Sequence, residues 1–325
     1  MKKLVCALAG ALMLVGAPAG AQPAAELLED VEAAVVDDLV VVARVPGPPW
    51  WRVSDGDTTV YVLGIPDALP KGQPWDQSTL KRRLAGAHTF ITPPVLRARG
   101  NPLALPVLIA KYHDIARSRE GLEAGLPASL IERFHAAVAR AGKKPKDYKD
   151  LRPFFAGLKL TGDYRKRVGL NYAEPMKTIA ALGKKARLKA TPAMTEDTTV
   201  DAFFATLKAL PPAVGRDCLE GSIDEVEAGD RALRTAGLAW AGGDVPRALA
   251  MPRSLERCWG SLPGVGRLKR EALARQAAAI EQALKKPGHA VAVLNIRSLV
   301  AREGILVRLR VKGYKVLSPG EPDGA

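Results

Sequence analysis

Residues Val60 to Gly72, VYVLGIPDALPKG, read as a buried strand that runs off its C-terminal end into a tight polar turn. Open α/β sheets place their chemistry at such strand ends. The turn itself offers Ile65, Pro66 and Asp67, with no histidine, no nucleophilic serine and no run of glycines to cradle a phosphate. Working outward, Trp50 to Val53 alternates like a strand and is joined to Thr58–Gly64 across Ser54-Asp-Gly-Asp57, a hairpin signal. Asp76 can cap a helix running to about Ala85, and Thr89–Thr92 reads as a short strand.

The rest of the sequence is mostly helical in pattern. Residues 102–170 carry apolar side chains at helical spacing, as in LALPVLIAKYHDIARS and PASLIERFHAAVARAG. A helix near 173–185 leads to a strand at Ala186–Ala190, and TTVDAFFATLKAL reads as an amphipathic helix ended by Pro211-Pro212. A long helix is expected over Val214–Ala241, closed by Gly242-Gly243, with Asp224 and Glu225 on its solvent face. Asp244 then caps a helix with Pro246 in its first turn, and Lys269–Leu284 is another helix. Ala290–Leu294 is a buried strand, Glu303–Lys312 a helix and Tyr314–Leu317 a final strand. The fold class is therefore α/β: a mixed β-sheet built from strands at the two ends of the sequence, flanked by a large, mostly helical middle region. VYVLGIPDALPKG and AVAVLNIRSLVAREG share one theme, an apolar strand, a short polar turn, a Leu and then a Gly, as two halves of one sheet with facing turns would.

The N-terminus speaks to location. Lys2 and Lys3, the apolar run from Leu4 to Gly16 and Ala19-Gly20-Ala21 form an export signal, with cleavage expected after Ala21. Residues 22–49 read as a flexible leader, 50–319 as the domain and 320–325 as a tail. The mature protein is expected in a bacterial periplasm or outside the cell, with no transmembrane segment once the signal is gone. Two cysteines then remain, Cys218 and Cys258. In an oxidising compartment an even count favours a disulfide, worth about 3–4 kcal/mol from loop closure in the unfolded state; the alternative is two separately buried thiols. The net charge of +14 is scattered and does not alternate with stacking aromatics, so a solvated surface or an anionic envelope partner is expected rather than nucleic acid.

The two turns together resemble the TraB/GumN family, which is related in fold to the Tiki-type proteases. The family's N-terminal element, W-x-V followed by V-Y-L-x-G-T-x-H-x-L-P, appears here as Trp51-Arg-Val53, Val60-Tyr61, Gly64 and Leu69-Pro70. Its C-terminal element appears as Val291–Leu299, Gly304-Ile305, Leu309 and Gly313-Tyr314-Lys-Val316, and its A-W-x-x-G-D segment as Ala239–Asp244. The resemblance implies two G-x-x-H motifs that hold a divalent metal, with metal-dependent hydrolysis as the activity. Here the first motif is Gly64-Ile-Pro-Asp67 and the second is Asn295-Ile-Arg-Ser298, so both histidines are replaced. The strand that usually ends in glutamate ends Phe90-Ile-Thr-Pro-Pro94, and the mid-sequence E-T is Ala190-Thr-Pro192.

A zinc-like catalytic site needs about three protein ligands and an open position for water. Asp67 offers one carboxylate, Ser298 is a weak ligand, and Arg297 brings a charge that opposes a cation. His113 and His135 lie on helices without ligand partners at helical spacing, and His88 and His289 belong to the opposite sheet end. The expectation is a family member that has lost its catalysis, a pseudoenzyme, with Gly64, Asp67, Asn295, Arg297 and Ser298 lining the old cleft as a binding surface. No metal ligand set and no cofactor are implied. The partner is an anionic envelope component or a protein. The alternatives are a metal-dependent hydrolase using non-standard ligands and a haem carrier, the latter lacking an axial ligand near the turns.

Overall fold

In the computed structural model the described residues are 30–43, 46–66, 68–99, 105–171, 174–199, 205, 207–250, 253, 256, 258, 260 and 265–321. The hairpin forms as β1 (Trp50–Ser54) and β2 (Thr58–Ile65), antiparallel, with Arg52 opposite Tyr61. The turn is held by Asp55, whose Oδ1 accepts from the Thr58 amide at 3.2 Å. After β3 (Leu69–Pro70) comes α1 (Ser78–Leu84), with Asp76 Oδ1 accepting from the Ser78 amide at 2.8 Å. Next come β4 (Phe90–Thr92) and β5 (Val95–Arg99), then the helices α2 (Leu105–Ala116), α3 (Ala128–Arg140) and α4 (Pro153–Arg167). They are followed by β6 (Leu170–Asn171), α5 (Glu174–Lys185), β7 (Ala190–Pro192) and β8 (Thr195–Thr199). Helices α6 (Pro212–Ala241), α7 (Val245–Leu249) and α8 (Val265–Leu284) lead to β9 (Gly288–Asn295), α9 (Ile296–Val300), α10 (Ile305–Val311) and β10 (Lys315–Leu317).

Six strands make one mixed sheet in the order β10-β1-β2-β9-β4-β7. The β10–β1 and β1–β2 pairs are antiparallel, and β2, β9, β4 and β7 run parallel. Strands from the N-terminal and C-terminal regions thus meet at the centre, as the sequence pattern implies. Strand β9 is buried on both faces, with Ala290 to Leu294 fully inaccessible, and β2 buries Val60, Val62 and Leu63 as completely while Thr59 and Tyr61 on its other side are half-buried. A second core lies in the helical middle, where Phe134, Tyr148, Leu160, Leu219 and Ile223 pack together. Among the described residues no helix is long and apolar enough to cross a membrane.

Several expectations are corrected. The strand expected at Ala186–Ala190 begins only at Ala190, because Ala186 still bonds back to Leu182 and Arg187 turns at φ 61°. Thr198 and Thr199, read as the start of a helix, end β8, which pairs in parallel with β5, a segment for which the sequence suggested no element. The long helix breaks at Gly229 (φ 77°, ψ 170°), so it is two helical segments end to end. Glu225 does not face solvent: it is 7% exposed and sits against Arg165.

The largest difference concerns the leader. Residues 30–43 pack onto the fold: Val31 and Leu39 are buried, Val35 bridges Ala301, and the indole of Trp51 donates to the Leu39 carbonyl at 3.2 Å. Their apolar side chains, Val31, Val35, Val36 and Leu39, cover surface that the sheet would otherwise expose to water.

Candidate functional site

Parallel pairing sets the site. Strands β2 and β9 lie side by side with Gly64 opposite Leu294 and Ile65 opposite Asn295, so the two turns leave the sheet next to each other. Gly64 is where β2 is pinned. Its carbonyl accepts from the Trp240 indole at 2.7 Å, and a Cβ there would meet the Trp51 ring at 2.6 Å. Only a glycine lets both tryptophans close on the strand. The A-W-x-x-G-D segment supplies that second tryptophan. Its Asp244 caps α7, with Oδ1 accepting from the Arg247 amide at 3.1 Å.

On the other strand, Asn295 has a local task. Its Oδ1 accepts from the amides of Arg297 (2.9 Å) and Ser298 (3.1 Å), capping α9. The turn after β9 is thereby a short capped helix. The Ser298 hydroxyl donates to Glu32 Oε1 at 2.6 Å. Glu32 comes from the packed leader. It is 6% exposed, and its other oxygen lies 2.6 Å from Lys269 Nζ and 3.5 Å from Arg253 Nη2. Arg253 also pairs with Asp30, through Nη1 to Oδ2 and through Nη2 to Oδ1 at 3.2 Å.

Beside this knot is a cleft of about 60 Å³ that carries Pro66, Arg165, Glu225, Arg253, Glu256 and Arg297 on its wall. Arg297 donates to the Leu249 carbonyl. Burial pulls its basicity down and Arg253 adds to this, while Glu32 and Asp30 oppose it. Glu225 meets Arg165 through both carboxylate oxygens, at 2.7 Å for Nη2 to Oε2. Burial nevertheless raises the Glu225 carboxyl above its ordinary range, against the pull of Arg165.

This donor set does not fit a divalent metal. Ser298 is committed to a carboxylate, and that carboxylate is committed to a lysine and an arginine. Three guanidinium groups stand where the field of a cation would need acids. Among the described residues no group of three or more His, Cys, Asp or Glu side chains is placed to hold a metal. Asp67 lies outside the described residues. His289 stands at the far end of β9 from Asn295, its Nε2 donating to the Arg83 carbonyl at 3.0 Å. His88 is next to it, with its backbone amide donating to the His289 carbonyl at 2.9 Å. His135 pairs with Glu123 at 2.7 Å on the helical side.

The sequence brought Gly64, Asn295, Arg297 and Ser298 to one sheet end but missed Asp30, Glu32, Arg165, Glu225, Arg253 and Lys269. One signal was available: acidic residues at 29, 30 and 32 precede a Val-rich run too apolar to remain in water.

An α/β sheet with parallel central strands, two facing turns and a tryptophan pinning the first of them defines the class. The match to a family model places it: residues 49–317 fit the TraB/PrgY/gumN family, and the chain belongs to that family. No curated protein and no solved structure is significantly similar to it. The matched span begins after the packed segment that carries Asp30 and Glu32.

Proposed function

We propose that the protein is an exported, non-catalytic member of the TraB/PrgY/gumN family that binds a carboxylate-bearing partner at the strand ends where the family's histidine motifs fall. One observation carries the reading: a carboxylate, Glu32, already sits there, taking a hydrogen bond from Ser298 and ion pairs from Lys269 and Arg253. Charge-assisted bonds of this kind are the stronger class of hydrogen bond, and they are what a site for anions provides. In this reading Glu32 is an occupant in cis, and an acidic segment of a partner, protein or envelope component, competes for the same groups. Export is supported by the N-terminal signal pattern and by the disulfide between Cys218 and Cys258, with Cα atoms 4.8 Å apart.

Elemental analysis of the purified protein after dialysis against excess zinc or manganese tests the non-catalytic half. The expected result is substoichiometric metal and no metal-stimulated peptide hydrolysis. Stoichiometric metal that disappears in Asp67→Ala would replace this reading with that of a hydrolase using non-standard ligands. Binding of a fluorescent poly-glutamate peptide tests the other half: Glu32→Ala is expected to bind it more tightly than the parent. Equal, weak binding by both proteins would remove the carboxylate site.

A further inference from the structure

A second charged surface lies away from the turns, on the face of the hairpin that the core does not use. Strands β1 and β2 alternate, so Trp50, Arg52, Thr59 and Tyr61 stand half-buried on one side while Trp51, Val53, Val60 and Val62 are buried on the other. Helix α1 crosses this outer side and lays Arg83 between two rings. Its guanidinium carbon is 4.3 Å from the Trp50 ring centroid and 4.3 Å from that of Tyr61. Stacking holds the cation but satisfies none of its N–H donors. Among the described residues the Nη1 of Arg83 is buried without a hydrogen-bond partner.

Arg52, Arg82 and Arg83 all line two open clefts, of about 340 and 410 Å³. Among the described residues the acid on these walls is Glu321, whose carboxylate accepts from the Ser318 amide and whose carbonyl accepts from Arg52. Three arginines thus line the clefts; the Arg82 guanidinium also donates to Ser78 Oγ at 3.3 Å and Thr79 Oγ1 at 3.0 Å on its own helix. Burial pushes Arg83 down to about 10, Tyr61 opposes this, and Arg52 and Arg82 add to it. A bound anion would reverse that cost.

We propose that Arg52, Arg82 and Arg83 form a binding site for a phosphate group on the outer face of β1 and β2. Phosphate suits the site better than a carboxylate. It carries up to two charges and presents three or more oxygens, enough to engage several planar guanidinium forks at once. The stacked rings fix one fork in advance, so little rotamer freedom is lost on binding. The phosphate can belong to a small soluble phosphomonoester or to a lipid headgroup, and the two sources share this chemistry.

Trp50 lies against Arg83, so its fluorescence reports the test. Inorganic phosphate is titrated into the protein at low ionic strength, with sodium chloride as the ionic-strength control. Phosphatidylcholine vesicles with and without phosphatidic acid are tested by co-sedimentation. The expected result is saturable phosphate binding that weakens about tenfold in Arg83→Gln and also weakens in the exposed variant Arg82→Gln. Sedimentation with phosphatidic acid alone, lost in both variants, would assign the site to a lipid headgroup. Absence of saturable binding in both arms, or binding unchanged by Arg82→Gln, would overturn the proposal. The exposed variant and the direct titration of the parent protein keep the test decisive if Arg83→Gln fails to fold.

Discussion

At Gly64 one missing Cβ decides how the sheet end is built. Gly64→Ala places a carbon 2.6 Å from the Trp51 ring and close to Ile296, and both neighbours are fixed by the core. The expected cost is about 1–3 kcal/mol, read as a lower midpoint in urea denaturation. Glu225 is a different case, because its pairing with Arg165 sits out of water. Glu225→Gln removes the carboxylate charge that faces the buried Arg165 guanidinium and is expected to destabilise by about 3–5 kcal/mol. The double change Arg165→Met with Glu225→Leu should recover most of that loss, since removing both charges removes their desolvation. A double change as damaging as the single one would mean that the pair is held for more than charge balance. Neither residue betrayed itself in the sequence: a glutamate beside an aspartate on a helix looks like any solvated face until the facing helix is known.

Helices α3 and α6 share an apolar seam, and one side chain gathers the charges beside it. Arg133 bonds Glu220, Asp224 and Glu227 at 2.9, 2.7 and 2.8 Å. Its hydrogen bond holds the Glu227 carboxyl below its ordinary value of 4.5. A carboxyl lowered in the folded state stabilises above its unfolded value, and that contribution is lost as pH falls through the folded one. Stability measured from neutral pH to well below 4.5 should therefore fall more steeply in the parent than in Arg133→Gln; parallel curves would remove Arg133 from the acid response. Cap chemistry was easier to read: Asp244 was legible because an acid before Val-Pro is a helix start, and the structure shows it bonded as such. Strands β5 and β8 were not legible. They pair only with each other, outside the main sheet, so TEDTT carries no hydrophobic alternation that could mark it as a strand. The strands of the main sheet did announce themselves: β1 and the first half of β2 by alternation, and β9 by the continuous apolar run that burial on both faces demands. The site divides the same way. Residues in the turns were visible through the family pattern, whereas Glu32, Arg253 and Lys269 reach it from segments whose approach depends on tertiary packing.

At the level of the molecule, the sheet core and the helical core are separate clusters, and the Cys218–Cys258 bridge belongs to neither centre but to a third cluster with Ile115, Phe154 and Phe155. Closing a span of 40 residues contributes about 4 kcal/mol by restricting the unfolded state. Reduction should lower the denaturation midpoint accordingly, while a Cys218→Ser, Cys258→Ser protein that is as stable as the oxidised parent would show the bridge to be incidental. The leader segment adds the other long-range tie, from residues 30–43 to α9. The pairing of β10 with β1 has a mechanical consequence. Because the two strands run antiparallel, with Arg52 opposite Leu317 and Ser54 opposite Lys315, both ends of the family domain emerge at the same place. A threading motor or an optical trap pulling on those ends would load the ladder rungs one after another, like a zipper, instead of straining them together. The domain should therefore yield at low force however high its thermal stability.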